Sequence, residues 1–186
     1  NHYELVTLVG ALCCVLPIGS GRSSLPVGVI WLLRFQLAVV YVFAGIGKLD
    51  ADWLLRGEPL HTWLVGRQDF AVVGPWLEYV WVAVVLSWAG AIFDMTIVGW
   101  LLWRRTRLAA YVAVVAFHLV TGWLFPGIGA FPLVMIVLTP IFFEPDWPMR
   151  LAARASREPG TDLPPIVAAP ARHRLVMAAA LLWVAV

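Results

Sequence analysis

The run WLEYVWVAVVLSWAGAIFDMTIVGWLLW, residues 76–103, carries two charges, Glu78 and Asp94. A stretch this long and apolar has few ways to fold. A bilayer core about 30 Å thick takes roughly 17–25 apolar residues as a helix, and backbone facing lipid must satisfy its own hydrogen bonds. Four further apolar runs flank it, at 3–19, 28–47, 108–125 and 128–143, and another begins at Leu175. The chain is 62% hydrophobic and 13% charged, against roughly half apolar and a quarter charged in soluble domains. The fold class expected is therefore an all-α integral membrane protein, a polytopic helical bundle. Eleven Trp suit a membrane protein, whose interfaces favour indole rings. A net charge of +2, scattered along 186 residues, gives nucleic acid no footing as a partner.

Residues 48–75 break the apolar pattern. They interleave Lys48, Asp50, Asp52, Arg56, Glu58, His61, Arg67 and Asp69 with Trp53, Leu54, Leu55, Leu60, Trp63 and Leu64. Such an amphipathic segment lies at the membrane surface or re-enters the bundle after the second span. With spans in that order, the loops at 20–27, 104–107 and 144–174 share one side and hold nine Arg, among them the RRTR of 104–107. The other side holds Lys48, Arg56 and Arg67. The excess of cations places RRTR in the cytoplasm and GKLDADW, residues 47–53, outside the cell membrane. The bundle core is expected over 1–151, a Pro-rich cytoplasmic linker over 152–174, and the start of a further helix over 175–186. Because the chain opens and closes within apolar runs, it reads as a fragment with helices missing at both ends. The adjacent Cys13 and Cys14 read as small packing residues and leave the redox compartment open.

Ionisable groups at membrane depth are costly and turn toward a bundle interior by default. Here they are Glu4, Arg34, Glu78, Asp94 and His118, with Asn1 and His2 at the start and Lys48, the chain's only lysine, at a helix end. Arg34, Tyr41 and Lys48 recur every seven residues, nearly two helical turns, and so share one stripe. The small residues Ala44, Gly45 and Gly47 precede the lysine; they let a helix or a flat ligand approach closely. Two readings of Lys48 stand side by side. It is an anchor snorkelling to the headgroups, or a base in apolar surroundings. His118 reads as a structural helix-to-helix hydrogen bond or as a ligand and proton-transfer group. Asp94 is expected to pair with Arg34 or a backbone donor. Asp50 and Asp52 offer too few ligands for a divalent ion, and no metal site is expected. HExxH, GxSxG and phosphate-loop patterns do not occur.

Three ordered blocks carry a resemblance to a known family. RFQLAVVYVFAGIGKLDADWLLRGEPLHTWL closely resembles the central segment of vitamin K-dependent gamma-glutamyl carboxylases, within the broader HTTM membrane-domain family. NHYEL resembles the family's Asn-His-aromatic motif, and FHLVTGWLFPGIGAFPLVMIVLTPIFFEPDWPMRL its later His, Ile-Gly-x-Phe-Pro and Pro-x-Trp-Pro blocks. The resemblance implies a catalytic role for Lys48 and His2, with Asn1 and His118 on the cofactor side; Tyr41 joins them as the member of the polar stripe nearest Lys48. It implies reduced vitamin K of the menaquinol type, with O2 and CO2 as co-substrates. In that chemistry the lysine deprotonates the quinol, oxidation to the epoxide generates a strong base, and a glutamate of a peptide or protein substrate loses its gamma proton and captures CO2. The large lumenal region of the eukaryotic carboxylases has no counterpart in this sequence, which is closer to bacterial HTTM proteins. Maturation of a secreted peptide without carboxylation, and quinone binding or transport by a non-enzymatic bundle, are the alternatives.

Overall fold

A computed structural model describes residues 7–11, 14, 27–144 and 146–150. Expectations for Asn1, His2, Glu4, Cys13, the 152–174 linker and the run from Leu175 lie outside the described residues, as does most of the first apolar run, of which 7–11 are helical. All regular structure among the described residues is helical. The long helices are α1 (Val27–Ile46), α3 (Val80–Leu102) and α4 (Arg107–Leu124), with the short α2 (Leu60–Val65) between the first two and α5 (Phe131–Leu138) at the end. α1, α3 and α4 are long and apolar enough to cross a membrane.

Their surfaces invert the soluble pattern. On α3 the buried positions are Ala83, Ser87, Gly90, Ala91, Asp94, Ile97 and Leu101, a stripe of small and polar residues at three- and four-residue steps. Trp81, Val85, Trp88, Ile92 and Trp100 face outward. Lipid solvates large apolar side chains, so bulk goes outside and small residues go where helices meet. Trp81 and Trp100 stand ~28 Å apart along the axis at 1.5 Å per residue, matching the spacing of the two aromatic belts of a bilayer. On α4 the buried stripe is Ala110, Val114, His118 and Leu124.

One expectation on span limits is corrected. Glu78 falls outside the third span. It is exposed in the turn before α3, because the 3-10 turn Gly74–Trp76 and Tyr79, extended at ψ 127°, interrupt the run that its hydropathy made continuous. The 128–143 run, expected to be short, is shorter than a span. α5 gives way to a 3-10 turn, Thr139–Phe142, so the helical part is Phe131–Phe142. Pro140 has no N–H for the α-helical ladder, and the Thr139 hydroxyl donates back to Met135 O at 2.6 Å. Pro132 supplies the start of α5, where a missing N–H costs nothing.

The described residues fall into two compact units, one of Gln36–Pro140 and one holding the described parts of Tyr3–Phe35 and Ile141–Val186. In the second, the Arg34 guanidinium donates to the carbonyls of Ile141, Phe142 and Phe143 at 2.9–3.2 Å and lies over the Trp31 ring. It thus serves carbonyls at the end of the 3-10 turn Thr139–Phe142, whereas Asp94 is bonded to Lys48.

In the first unit, the 48–75 segment folds back against α3 and α4. Leu60, Leu64 and Leu77 pack with Ala83 of α3 and Leu124 of α4 in one cluster. Of the two readings of this segment, surface-lying and re-entrant, the burial of Leu60 and Leu64 against helices supports the second, while Leu55, Val65 and Val72 stay exposed. A π-helical turn, Asp52–Arg56, opens it and ends at Gly57 with φ +71°. Glu58 then accepts from the Thr62 hydroxyl at 2.8 Å, and that bond holds its carboxyl below the usual range. Gly57 is required twice over. Its left-handed backbone costs other residues about 1–2 kcal/mol, and a Cβ there would stand 3.0 Å from both the Ala83 Cβ and the Val84 nitrogen. Gly57→Val is expected to destabilise the bundle by at least ~2 kcal/mol, read as a lower thermal midpoint in detergent. An unchanged midpoint would mean the segment does not dock on α3.

Candidate functional site

Lys48 stands two residues beyond α1, where the helix tightens: Lys48 N–H bonds Gly45 O and Leu49 N–H bonds Ile46 O. Its side chain turns back along the helix. Nζ donates to Ala44 O at 3.0 Å and to Asp94 Oδ2 at 2.7 Å, and lies 5.5 Å from the centre of the Trp53 ring. A cation at a helix C-terminus is favoured by the free carbonyls there. The Asp94 side chain is 6% exposed and that of Lys48 21%, so water screens this pair little. Of the two readings of Lys48, the inward turn departs from a snorkelling anchor.

Small residues line the approach of the pair. A Cβ on Gly45 would come 2.6 Å from the Met95 Sδ and 3.2 Å from its backbone nitrogen, so α1 and α3 approach at a distance that favours glycine. On α3, Gly90 leaves room one turn before Asp94, where the lysine stem passes; a Cβ there would stand 3.9 Å from Lys48 Cε.

Lys48 and Asp94 open onto a cavity of about 840 Å³, within the range of small-molecule sites. Tyr41 and Ala44 of α1, Trp53, Trp63 and Arg67 of the folded-back segment, Gly90 of α3, Phe117, His118 and Thr121 of α4, and Phe125 and Phe131 beyond it are among its walls. Ring contacts stiffen these walls. Trp53 meets Trp63 edge-on at 6.2 Å, and Trp63 meets Phe125 at 6.0 Å. The Tyr41 hydroxyl and His118 Nε2 are 3.2 Å apart in a buried hydrogen bond. His118 Nδ1 is buried with no hydrogen-bond partner among the described residues. If the Tyr41 hydroxyl is the donor, the ring proton sits on Nδ1.

The structure brings Lys48, Tyr41 and His118 to one cavity. The expected stripe of Arg34, Tyr41 and Lys48 divides by task, since Arg34 binds carbonyls. Asp94 was legible as an ionisable group at depth but is paired with Lys48, not Arg34. Asp50 accepts from the Trp53 N–H at 2.8 Å and Asp52 pairs with Arg56, so both shape the turn below the cavity. Among the described residues, no cluster of three His, Cys, Asp or Glu is placed to hold a metal. Arg67 and the aromatic walls were not singled out by sequence. Their one signal was the alternation of Trp and Leu with charge in 53–67.

The chain belongs to the HTTM domain family, whose family model matches residues 1–147. No solved structure matches it.

Proposed function

We propose that this HTTM-domain chain is a vitamin K-dependent gamma-carboxylase-like membrane enzyme, coupling oxidation of a quinol by O2 to carboxylation of glutamate in a secreted peptide or protein. The observation that carries the reading is the inward Lys48, bonded to Asp94 at the wall of an apolar, aromatic cavity. That cavity fits a menaquinol: flat rings and apolar walls suit the ring system and its tail, and the polar groups Lys48, Tyr41 and His118 suit its hydroxyls. When bound, the quinol supplies the electrons for O2 reduction and leaves as the epoxide.

The chain's own residues do the rest. Asp94 Oδ2 takes the proton of Lys48 along their 2.7 Å bond, and Nζ is then free to accept a hydroxyl proton. Tyr41 and His118 orient the same ligand through their shared hydrogen bond. Trp53, Trp63 and Phe125 keep water from the reacting centre. The family resemblance adds His2 to the catalytic group and Asn1 to the quinol-binding group. With RRTR cytoplasmic by the excess of Arg, the Lys48 end opens toward the outer side of the cell membrane, where a secreted substrate is met.

The test uses the chain in lipid nanodiscs with menaquinol, bicarbonate and O2. Quinone epoxide forming above the protein-free background is expected, together with labelled carbon fixed into a glutamyl peptide. Quinol oxidised no faster than in empty nanodiscs overturns the reading. Epoxide without fixed carbon overturns its carboxylase half.

A further inference from the structure

Arg67 is the cavity's second cation, and neither the lysine pair nor the tyrosine–histidine pair uses it. It follows α2 in a tight turn, its N–H bonded to Leu64 O at 2.8 Å, with Leu64 fully buried in the core. The guanidinium carbon lies 4.3 Å from the centre of the Phe70 ring. Phe70 is in turn stacked on Trp123, 4.2 Å apart and 6° from parallel. The side chain is therefore held from its backbone and from one face. Its Nε is buried and has no hydrogen-bond partner among the described residues.

The charges around the cavity do not balance. Lys48, Arg67 and Asp94 are its charged lining residues, and the carboxylate is already bonded to Lys48. One positive charge is left over, on the group whose planar fork matches a carboxylate. Arg67 is partly buried, and its Nε is shut off from water without a partner among the described residues. An unpaired polar atom of that kind is costly, and an arriving anion removes that cost.

We propose that Arg67 is the carboxylate-binding group of this cavity. The proposal rests on the carboxylase reading for the origin of the ligand: a glutamyl side chain of the substrate, or bicarbonate as the source of CO2. Arg67 holds a carboxylate while Lys48 faces the quinol, so one cavity takes both partners of the coupled reaction.

The experiment needs neither quinol nor O2. The Trp fluorescence of the chain in nanodiscs, to which Trp53 and Trp63 contribute from the cavity wall, is titrated with N-acetyl-glutamyl methylamide, with its glutaminyl isostere, and with bicarbonate. The glutamyl compound is expected to bind about 10- to 100-fold more tightly than the glutaminyl one, the ratio expected for a hydrogen bond to a charged group. Arg67→Gln removes the difference, and Arg67→Lys keeps part of it, which separates charge from a folding defect. Bicarbonate competing with the glutamyl compound in an Arg67-dependent way assigns the site to inorganic carbon, and glutamyl binding without that competition assigns it to the side chain.

Equal binding of the two isosteres to the unsubstituted chain overturns the proposal without any variant, and is the result expected if Arg67 reaches headgroup phosphate. Discrimination that survives Arg67→Gln overturns it too. Epoxide formation without carboxylate discrimination removes the role of Arg67 and leaves the quinol reading standing. Discrimination without epoxide formation does the reverse.

Discussion

Lys48→Met is expected to lower quinone epoxide formation by about 10²- to 10⁴-fold, the contribution of a positioned general base, while quinone binding persists. Met keeps the length and apolar stem that lie over Gly90, so the cavity wall survives. Only the nitrogen is lost, with its bonds to Ala44 O and Asp94 Oδ2. Epoxide yield over time, with bound quinone measured separately, distinguishes a missing base from a missing site. A variant that oxidises quinol at the original rate would show that the proton leaves by another route, with the Tyr41–His118 pair the next group to test.

The second large effect is expected at Asp94, and there stability and activity part company. Asp94→Leu leaves the Lys48 ammonium facing an apolar wall. Breaking a buried pair from one side costs about 3–5 kcal/mol, and the upper end is not expected because Lys48 is 21% exposed. Lys48→Met combined with Asp94→Leu removes both charges and is expected to recover most of that stability, since a well-packed apolar pair replaces a desolvated ionic one. Neither variant should form epoxide faster than Lys48→Met alone. Asp94→Asn keeps the shape and a hydrogen bond but lowers proton acceptance, so it should fold well and turn over slowly. Thermal midpoints and epoxide rates for the three variants test this. If the double variant is as unstable as Asp94→Leu alone, the pair is not what Asp94 contributes. If Asp94→Asn is fully active, Asp94 does not take the lysine's proton.

Much of the helical framework was legible because it depends on local quantities. The apolar run at 28–47 became Val27–Ile46, and that at 108–125 became Arg107–Leu124, since span length and hydropathy are properties of consecutive residues. Boundaries failed where turn geometry cut an apolar run, before α3 and before α5. The RRTR stretch shows the same limit. As a sequence it was a count of cations, but in the fold Arg107 donates to the carbonyls of Leu101 and Leu102 and Thr106 to those of Trp100 and Trp103. These bonds close the α3–α4 turn by satisfying carbonyls that the end of α3 leaves free.

The candidate site divides along the same line. By itself the sequence determined that the chain is helical and apolar enough for a membrane, that a lone lysine ends a helix after small residues, and that Asp94 and His118 lie at depth without an evident reason. Only the tertiary structure decided their partners. Asp94 meets Lys48 across 46 positions, and Tyr41 meets His118 across 77. A helix apolar on nearly every face does not reveal which way it is rotated, because hydropathy ranks lipid and protein interior alike. Rotation is set by contacts such as Gly45 against Met95, which let two backbones close up and turn one carboxylate toward one amine.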